Sequence, residues 1–303
     1  MRKSFRYKAK LSPSAVRNAT HQLDLCRELY NACVQHRRDA WQHSRVSVGR
    51  FAQQAELKEI KKVRPEFAGL SAQVLEYVVY RVALAFDGFF RRVKAGQKPG
   101  YPRFKNRDRF DSVTYRQSGW KLAGRRLTLR GVGTAKLFLS RPVEGTVKTV
   151  TLKRDRCGDW WATFSCDDVA ARLLPDTNQS VGVDVGLTHF LTTSDGETVE
   201  NPRPFVAAQV KLARAQRRRS KMKRGGARSG RQRTVIAKLH RKVERIRRDF
   251  HFKTALDLVR RYDTIAVEDL NIRGLARSVL SKHVHDAGWA QFMGILAWKA
   301  EEA

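Results

Sequence analysis

The chain is short of acid. Its 303 residues hold 29 Asp and Glu against 61 Lys and Arg, for a formal net charge of +32. Such an imbalance points first to a polyanion, nucleic acid, with an anionic membrane as the rival. Long hydrophobic runs are also missing. The most apolar helical stretch, 72–93, is interrupted by Arg81 and Asp87. No segment is therefore expected to cross a membrane, and the N-terminus carries no secretory signal. Cysteine is scarce, with four residues and no CxxC pair, so no zinc site is expected within this chain. Cys33-x-x-His36 is half a metal site at most. Cys26 and Cys33, seven apart, suit small apolar positions on one helix face. Free thiols and no export signal place the protein in the cytoplasm, and its charge places it at the nucleoid.

What is present divides by pattern. Residues 3–11 alternate and predict a strand. Val16, Ala19, Leu23, Cys26, Tyr30 and Cys33 recur at helical steps after Ser12-Pro13-Ser14. Further helices are predicted over about 51–62 and 74–93. The KPGYPRFK run at 98–105 ends this helical region. From there to about 168, alternating segments and the turn at Arg154–Asp159 predict five or six strands, as a barrel or a small sandwich. A polar linker over 171–180 follows. Two short strands then flank Asp195-Gly196, a strong hairpin signal. Between Lys211 and Arg248 stand 17 Lys and Arg against one acid, Glu244. This net +16 is half of the chain's charge, carried on two predicted helices joined by Gly225–Gly230. Val235, Leu239, Val243, Ile246 and Phe250 give the second helix a packing stripe.

Two strands carry candidate chemistry. VGVDVG at 181–186 puts valines on one face, and Asp184 with Gly182 on the other. In DTIAVEDLN at 263–271, Glu268 shares a face with Ala266, while Ile265 and Val267 share the opposite one. If the strands are neighbours, Asp184 and Glu268 converge on an open patch. Oxygen ligands with room for water suit Mg²⁺, and carboxylate clusters of this kind serve metal-dependent phosphodiester cleavage. A turn or capping role is the alternative for a lone strand Asp. Asp269, facing the other way, is expected to cap the helix beginning near Asn271. The basic segment has its own alternative, a solvated charged face, but like charges at helical spacing repel and a polyanion relieves them. Arg217, Arg218, Arg219, Arg247 and Arg248 are the expected phosphate contacts. Lys221, Lys223 and Arg224 at the hairpin tip, and Tyr101, Arg103 and Lys105 in the KPGYPRFK run, join them as nucleic-acid-binding candidates. Among the aromatics, Trp160 and Phe104 suit core packing. Tyr101, Trp120 and Trp161 suit either a core or a stack on RNA bases.

The order of these elements carries a resemblance. GVDVGL at 182–187, the Lys/Arg-rich helices, AVEDLN at 266–271 and HDAGW at 285–289 are similar to the TnpB (OrfB) proteins of bacterial insertion sequences. So are the opening strand and Leu29-Tyr30-Asn31 helix, with GYPRFK at 100–105, and the likeness covers essentially the whole chain. It implies an α+β multidomain protein. A split wedge β-barrel (1–12 and 96–170) would hold an inserted helical, helix-turn-helix-like recognition domain (13–95). After the linker, a ribonuclease-H-like (RuvC) nuclease domain (181–303) would carry the basic hairpin at 206–250. It further implies a guide RNA derived from the transposon end, a double-stranded DNA target beside a short motif, and Mg²⁺. Asp184 and Glu268 would take the first two catalytic and metal-binding positions. The resemblance also implies a third carboxylate and a zinc ribbon beyond Ala303, so the nuclease domain is expected to be incomplete at its C-terminus and its cleavage impaired. A nuclease-less RNA-guided repressor, or a decayed transposase fragment, are the alternatives.

Overall fold

The computed structural model describes residues 1–171 and 173–303, with all their side chains except that of Arg273. They form two compact units, Met1–Ala170 and Ala171–Ala303, each with its own hydrophobic core.

The first unit opens with β1 (Lys3–Leu11), whose Phe5, Tyr7 and Ala9 face inward while Arg6, Lys8 and Lys10 face out. Helix α1 (Pro13–Ser44) starts where the Ser12 side chain accepts from Ala15 N at 3.2 Å and Pro13 supplies a preset φ. It ends at Arg45 in the left-handed region, φ 56°. The helix predicted over 51–62 is two short helices, α2 (Arg50–Ala55) and α3 (Leu57–Val63), broken at Glu56. Helix α4 (Ala72–Lys94) buries Val74, Val78, Val82 and Phe86. Asn31 then pins the extended run after it, donating to Lys105 O and accepting from Lys105 N at 3.0 and 2.7 Å.

Six more strands follow: β2 (Ser112–Tyr115), β3 (Trp120–Ala123), β4 (Arg126–Leu129), β5 (Gly133–Phe138), β6 (Thr146–Arg154) and β7 (Trp160–Asp167). With β1 they make one seven-stranded antiparallel sheet in the order β2-β6-β7-β1-β5-β4-β3. The two edges, β2 and β3, are consecutive in the chain and joined only by residues 116–119. Four residues span at most about 14 Å, so the sheet must curl until its edges nearly meet. Of the barrel and the sandwich, this is the barrel. Gly119 (φ +85°) makes the joint, because a Cβ there would sit 3.1 Å from the Tyr115 ring and 3.2 Å from Ser71 Oγ. Helical and strand residues share one core, including Leu23, Cys26, Val79, Tyr115, Leu137 and Phe164. Cys26 and Cys33 lie in it, and burial pushes both thiols up to about 12.

The second unit holds a four-stranded sheet, β10-β9-β8-β11, built from β8 (Ser180–Asp184), β9 (His189–Thr193), β10 (Thr198–Glu200) and β11 (Thr264–Val267). Strands β8 to β10 are antiparallel neighbours, and β11 joins parallel to β8. Between β10 and β11 run α5 (Pro204–Ser220) and α6 (Ala227–Arg261). Short α7 (Ile272–Leu275), α8 (Ser281–Ala287) and α9 (Trp289–Glu302) complete the unit. Val181, Val183, Phe190 and Leu191 pack with Ala255, Leu258 and Val259 of α6 and with Phe292 and Leu296 of α9. The segment read as a linker is engaged in this unit: Leu174 N donates to Ala303 O at 3.1 Å.

Candidate metal and nucleic-acid surfaces

The register of β8 and β11 sets the site. Gly182 pairs with Ala266, and Val183 with Val267. Asp184 is the last residue of β8 and Glu268 the first after β11, so the register brings both to adjoining strand ends, and both are exposed. Asp263 holds the far end of this pair. Its carboxylate accepts from Thr177 N, Thr177 Oγ1 and Asn178 N at 2.6–3.0 Å, which keeps its pKa below the ordinary carboxylate value. Asp263 thus fastens the approach to β8 onto the start of β11. Sequence reading passed over it, although it opens the DTIAVED run.

The two glycines flanking Asp184 differ in their surroundings. A Cβ at Gly182 would lie 3.6 Å from Ser194 Cβ, an ordinary contact, so a small side chain is accommodated there as at Ala266. A Cβ at Gly186 would come within 3.0 Å of His189 O, so the turn into β9 is what excludes a side chain. Asp269 is not the cap of α7. Asn271 caps its own helix, accepting from Gly274 N at 3.0 Å. Val267, expected to face inward, is 46% exposed because β11 is an edge strand that, among the described residues, pairs only with β8. A cavity of about 680 Å³ lies beside it, with Ile265, Leu270, Met293 and Leu296 on its walls and Glu268 at its margin.

Asp184 and Glu268 offer only carboxylate oxygens, the donor type Mg²⁺ takes, and they stand in the open where water can fill the remaining positions. The pair fits one hydrated ion. Among the described residues, no cluster of three or more His, Cys, Asp or Glu stands ready for a metal.

The basic hairpin is α5 against α6. Leu212, Ala215, Ser229 and Val243 are its buried positions, and Gln232 Nε2 donates to Ala215 O at 3.1 Å. Helix α6 begins earlier than expected, at Ala227, so Gly225 and Gly226 close the connection and Gly230 is helical. The predicted stripe is only partly covered: Val235 and Ile246 are 45% and 42% exposed. Nearly all the deep burial of α6 falls after Phe250, in the sheet core. Arg217, Arg218, Arg219, Lys221, Lys223 and Arg224 are all exposed at the end of α5 and in the connection. Arg248 is exposed, stacked 5.3 Å over Phe252.

Arg247 is placed differently. Its guanidinium turns inward to Asp286, 3.4 Å away, whose side chain is 2% exposed. Asp286 also accepts from Phe205 N at 2.8 Å and Val206 N at 3.0 Å, so a residue 80 positions later satisfies the first free N–H groups of α5. Next to it, His251 Nε2 donates to Ala287 O at 2.9 Å, and its ring stacks on Phe190. Burial lowers the His251 pKa to about 4, so the ring is neutral at pH 7. Gly288 (φ +69°) closes the node, since a Cβ would sit 2.9 Å from Arg247 Cδ. The HDAGW motif is thus the anchor of the hairpin's base.

In the first unit, Tyr101 sits edge-on to Phe86 and Phe89 at 5.5 and 5.4 Å and keeps 42% exposure. Arg103 is exposed, and Lys105 Nζ lies 5.8 Å from the Tyr30 ring. Trp160 is buried, as core packing requires, but Phe104 is 47% exposed.

The chain thus carries a curled antiparallel barrel that shares its core with helices, and a mixed sheet bearing two carboxylates at adjoining strand ends and a cationic helical hairpin. The comparisons name the family. Residues 166–279 match the OrfB_IS605 family model, described as "Probable transposase". The chain is 30% identical to a "Putative RNA-guided DNA endonuclease" of Streptomyces pristinaespiralis, over 99% of this chain and 75% of that protein. It is 28% identical to the similarly named InsQ of Escherichia coli (strain K12), over 75% of this chain and 60% of that one. The chain belongs to this TnpB (OrfB) family. Among solved structures it is similar in fold to the protein of a Cas12f1–sgRNA–target DNA complex. The TM-score is 0.57 at 13% identity, covering 95% of this chain and 71% of that one. Among the described residues, no helix is long and apolar enough to cross a membrane.

Proposed function

We propose that this protein binds a guide RNA and, through it, double-stranded DNA, on a ribonuclease-H-like (RuvC) scaffold whose divalent-cation site is Asp184 and Glu268. The parallel register of β8 and β11 carries this reading, because it alone brings two carboxylates 84 residues apart onto adjacent strand ends. The names of its relatives support the RNA-guided part, and the exposed cations of α5 and the 221–226 connection support a nucleic-acid partner. Those cations would hold phosphates by charge while base pairing with the guide selects the sequence. Tyr101, Arg103 and Lys105 would make phosphate and base contacts of their own in the first unit.

When bound, Mg²⁺ would supply Lewis-acid stabilisation of a phosphodiester. Asp184 and Glu268 would hold and orient it, and the open face between them would leave room for the phosphate. Two carboxylates neutralise one divalent ion, so this pair would hold a single Mg²⁺ with water in its remaining positions.

The test is purification with co-expressed transposon-end RNA. A specific RNA should copurify, and guided DNA should bind. Asp184→Ala and Glu268→Ala should weaken Mn²⁺ binding, read by electron paramagnetic resonance, and leave RNA retention unchanged. Equal loss of RNA in these variants would make both acids structural. Guided cleavage that survives Glu268→Ala would overturn the role of this acid in holding the ion.

A further inference from the structure

Three consecutive hydroxyls, Thr192, Thr193 and Ser194, close β9 and open its turn, and the hairpin uses two of them. Thr193 Oγ1 accepts from Glu197 N at 3.1 Å, and Ser194 Oγ accepts from Gly182 N at 3.1 Å. The Thr192 hydroxyl has no partner among the described residues. Register fixes where it stands: Thr192 pairs with Asp184 of β8 on one side and with Thr198 of β10 on the other. Directly paired residues share a face, with Cβ atoms about 5 Å apart. The Asp184 carboxylate, next to Thr192, also has no partner among the described residues. Paired threonines in the barrel behave differently. Thr114 and Thr151 bond each other at 2.9 Å across β2 and β6, and Thr128 and Thr134 do so at 3.2 Å across β4 and β5. Thr192 and Thr198 are paired in the same way and make no such bond. Thr192 is half-buried, and valine would serve the strand there equally well. The fold thus leaves its hydroxyl unused, beside a candidate cation ligand.

We propose that Thr192 is a positioning residue for the divalent-cation site. The role rests on the reading of Asp184 and Glu268 given above. The Thr192 hydroxyl would donate to one oxygen of the Asp184 carboxylate, leaving the other oxygen aimed at the ion. An exposed aspartate at a strand end has several χ1 wells and a broad χ2, so most of its orientations present the carboxylate wrongly. A hydrogen bond from the neighbouring strand selects one orientation before the ion arrives. Partners of this kind behind a metal ligand are typically worth about 10–100-fold in affinity. Thr192 needs no contact with the ion for this. Glu268 has no equivalent support, because β11 is the sheet edge and, among the described residues, no strand lies beyond it. The two acids are therefore unequal: one is held by a neighbour, and the other is free to adapt.

The experiment uses the full chain and Mn²⁺, with binding read by electron paramagnetic resonance. Thr192→Val keeps the shape and removes the hydroxyl, and should weaken Mn²⁺ binding about tenfold. Thr192→Ser should recover most of that loss. Thr198→Val removes the hydroxyl one strand further from Asp184 and should leave Mn²⁺ affinity unchanged. In an Asp184→Ala background, Thr192→Val should weaken binding no further, because the hydroxyl acts only through that carboxylate. Circular dichroism melts check that each variant folds. Unchanged affinity in Thr192→Val, with loss in Asp184→Ala and Glu268→Ala, would overturn the role of Thr192 and leave the cation site standing. The role would also be overturned by an equal loss in Thr198→Val, by no recovery in Thr192→Ser, or by a further loss in the Asp184→Ala background. No loss in Asp184→Ala and Glu268→Ala would overturn the cation site itself, and the role of Thr192 with it.

Discussion

Asp286 and His251 decide how the hairpin is held, and neither touches the candidate metal site. Asp286 is a buried carboxylate that meets two backbone N–H groups and Arg247. Replacing it with Ala leaves a charge and two donors uncompensated, a cost of about 3–5 kcal/mol. The expected outcome for Asp286→Ala is a lower melting temperature and loss of α5 protection in hydrogen exchange, with a smaller effect for Asp286→Asn. His251 gives stability a pH dependence. Its folded pKa, about 4, lies below the ordinary imidazole value of 6.5, so the folded state binds fewer protons than the unfolded one between those values. Its stabilising contribution is full above pH 6.5 and is lost as pH falls toward 4, up to ~3 kcal/mol. Urea titrations at pH 7 and pH 4.5 should show the fall, and His251→Phe should flatten it.

At the scale of elements, α5 and the first half of α6 form an arm with little buried apolar surface of its own. Their cations repel at i,i+4, and few buried contacts oppose that. This arm should exchange amide hydrogens fastest among the long helices, and a polyanion should slow it. Arg217, Arg218 and Arg219 lie in the last turn of α5, where the helix dipole favours positive charge. Replacing all three with Gln should make the salt dependence of duplex binding shallower by about 2–3. Replacing Arg247 should do the opposite: little change in slope and a clear loss of stability, because its partner is Asp286. The elements themselves were legible. Phe5, Tyr7 and Ala9 alternate as a strand must, and Val74, Val78 and Val82 recur as a buried helix face must. Where reading failed, a contact from outside the element was the cause. Val235 and Ile246 have the spacing of a packing stripe, yet they are only partly covered. Nothing local to Arg247 distinguishes it from Arg248, and only Asp286 turns it inward.

The whole molecule carries two separate hydrophobic cores, one per unit. Units with their own cores unfold as their own cooperative transitions. Calorimetry should show two transitions, and acid should lower the one that contains His251 while the other stays. A single transition with equal calorimetric and van't Hoff enthalpies would contradict this.

The sequence by itself pointed to a polyanion partner, because a net charge of +32 needs no fold to be felt. It also determined most strands and helices, since apolar periodicity is a local property. It marked Asp184 and Glu268 as candidates through the small residues two before each. Tertiary structure alone decided that these two acids stand at the adjoining ends of parallel strands, because strand order and register depend on contacts far apart in sequence. It decided that two edges four residues apart curl a sheet into a barrel, and that Thr192 stands across from Asp184. Asp184 and Glu268 could be named from their neighbours in the chain; only the β8–β11 register, fastened by Asp263, makes them neighbours in space.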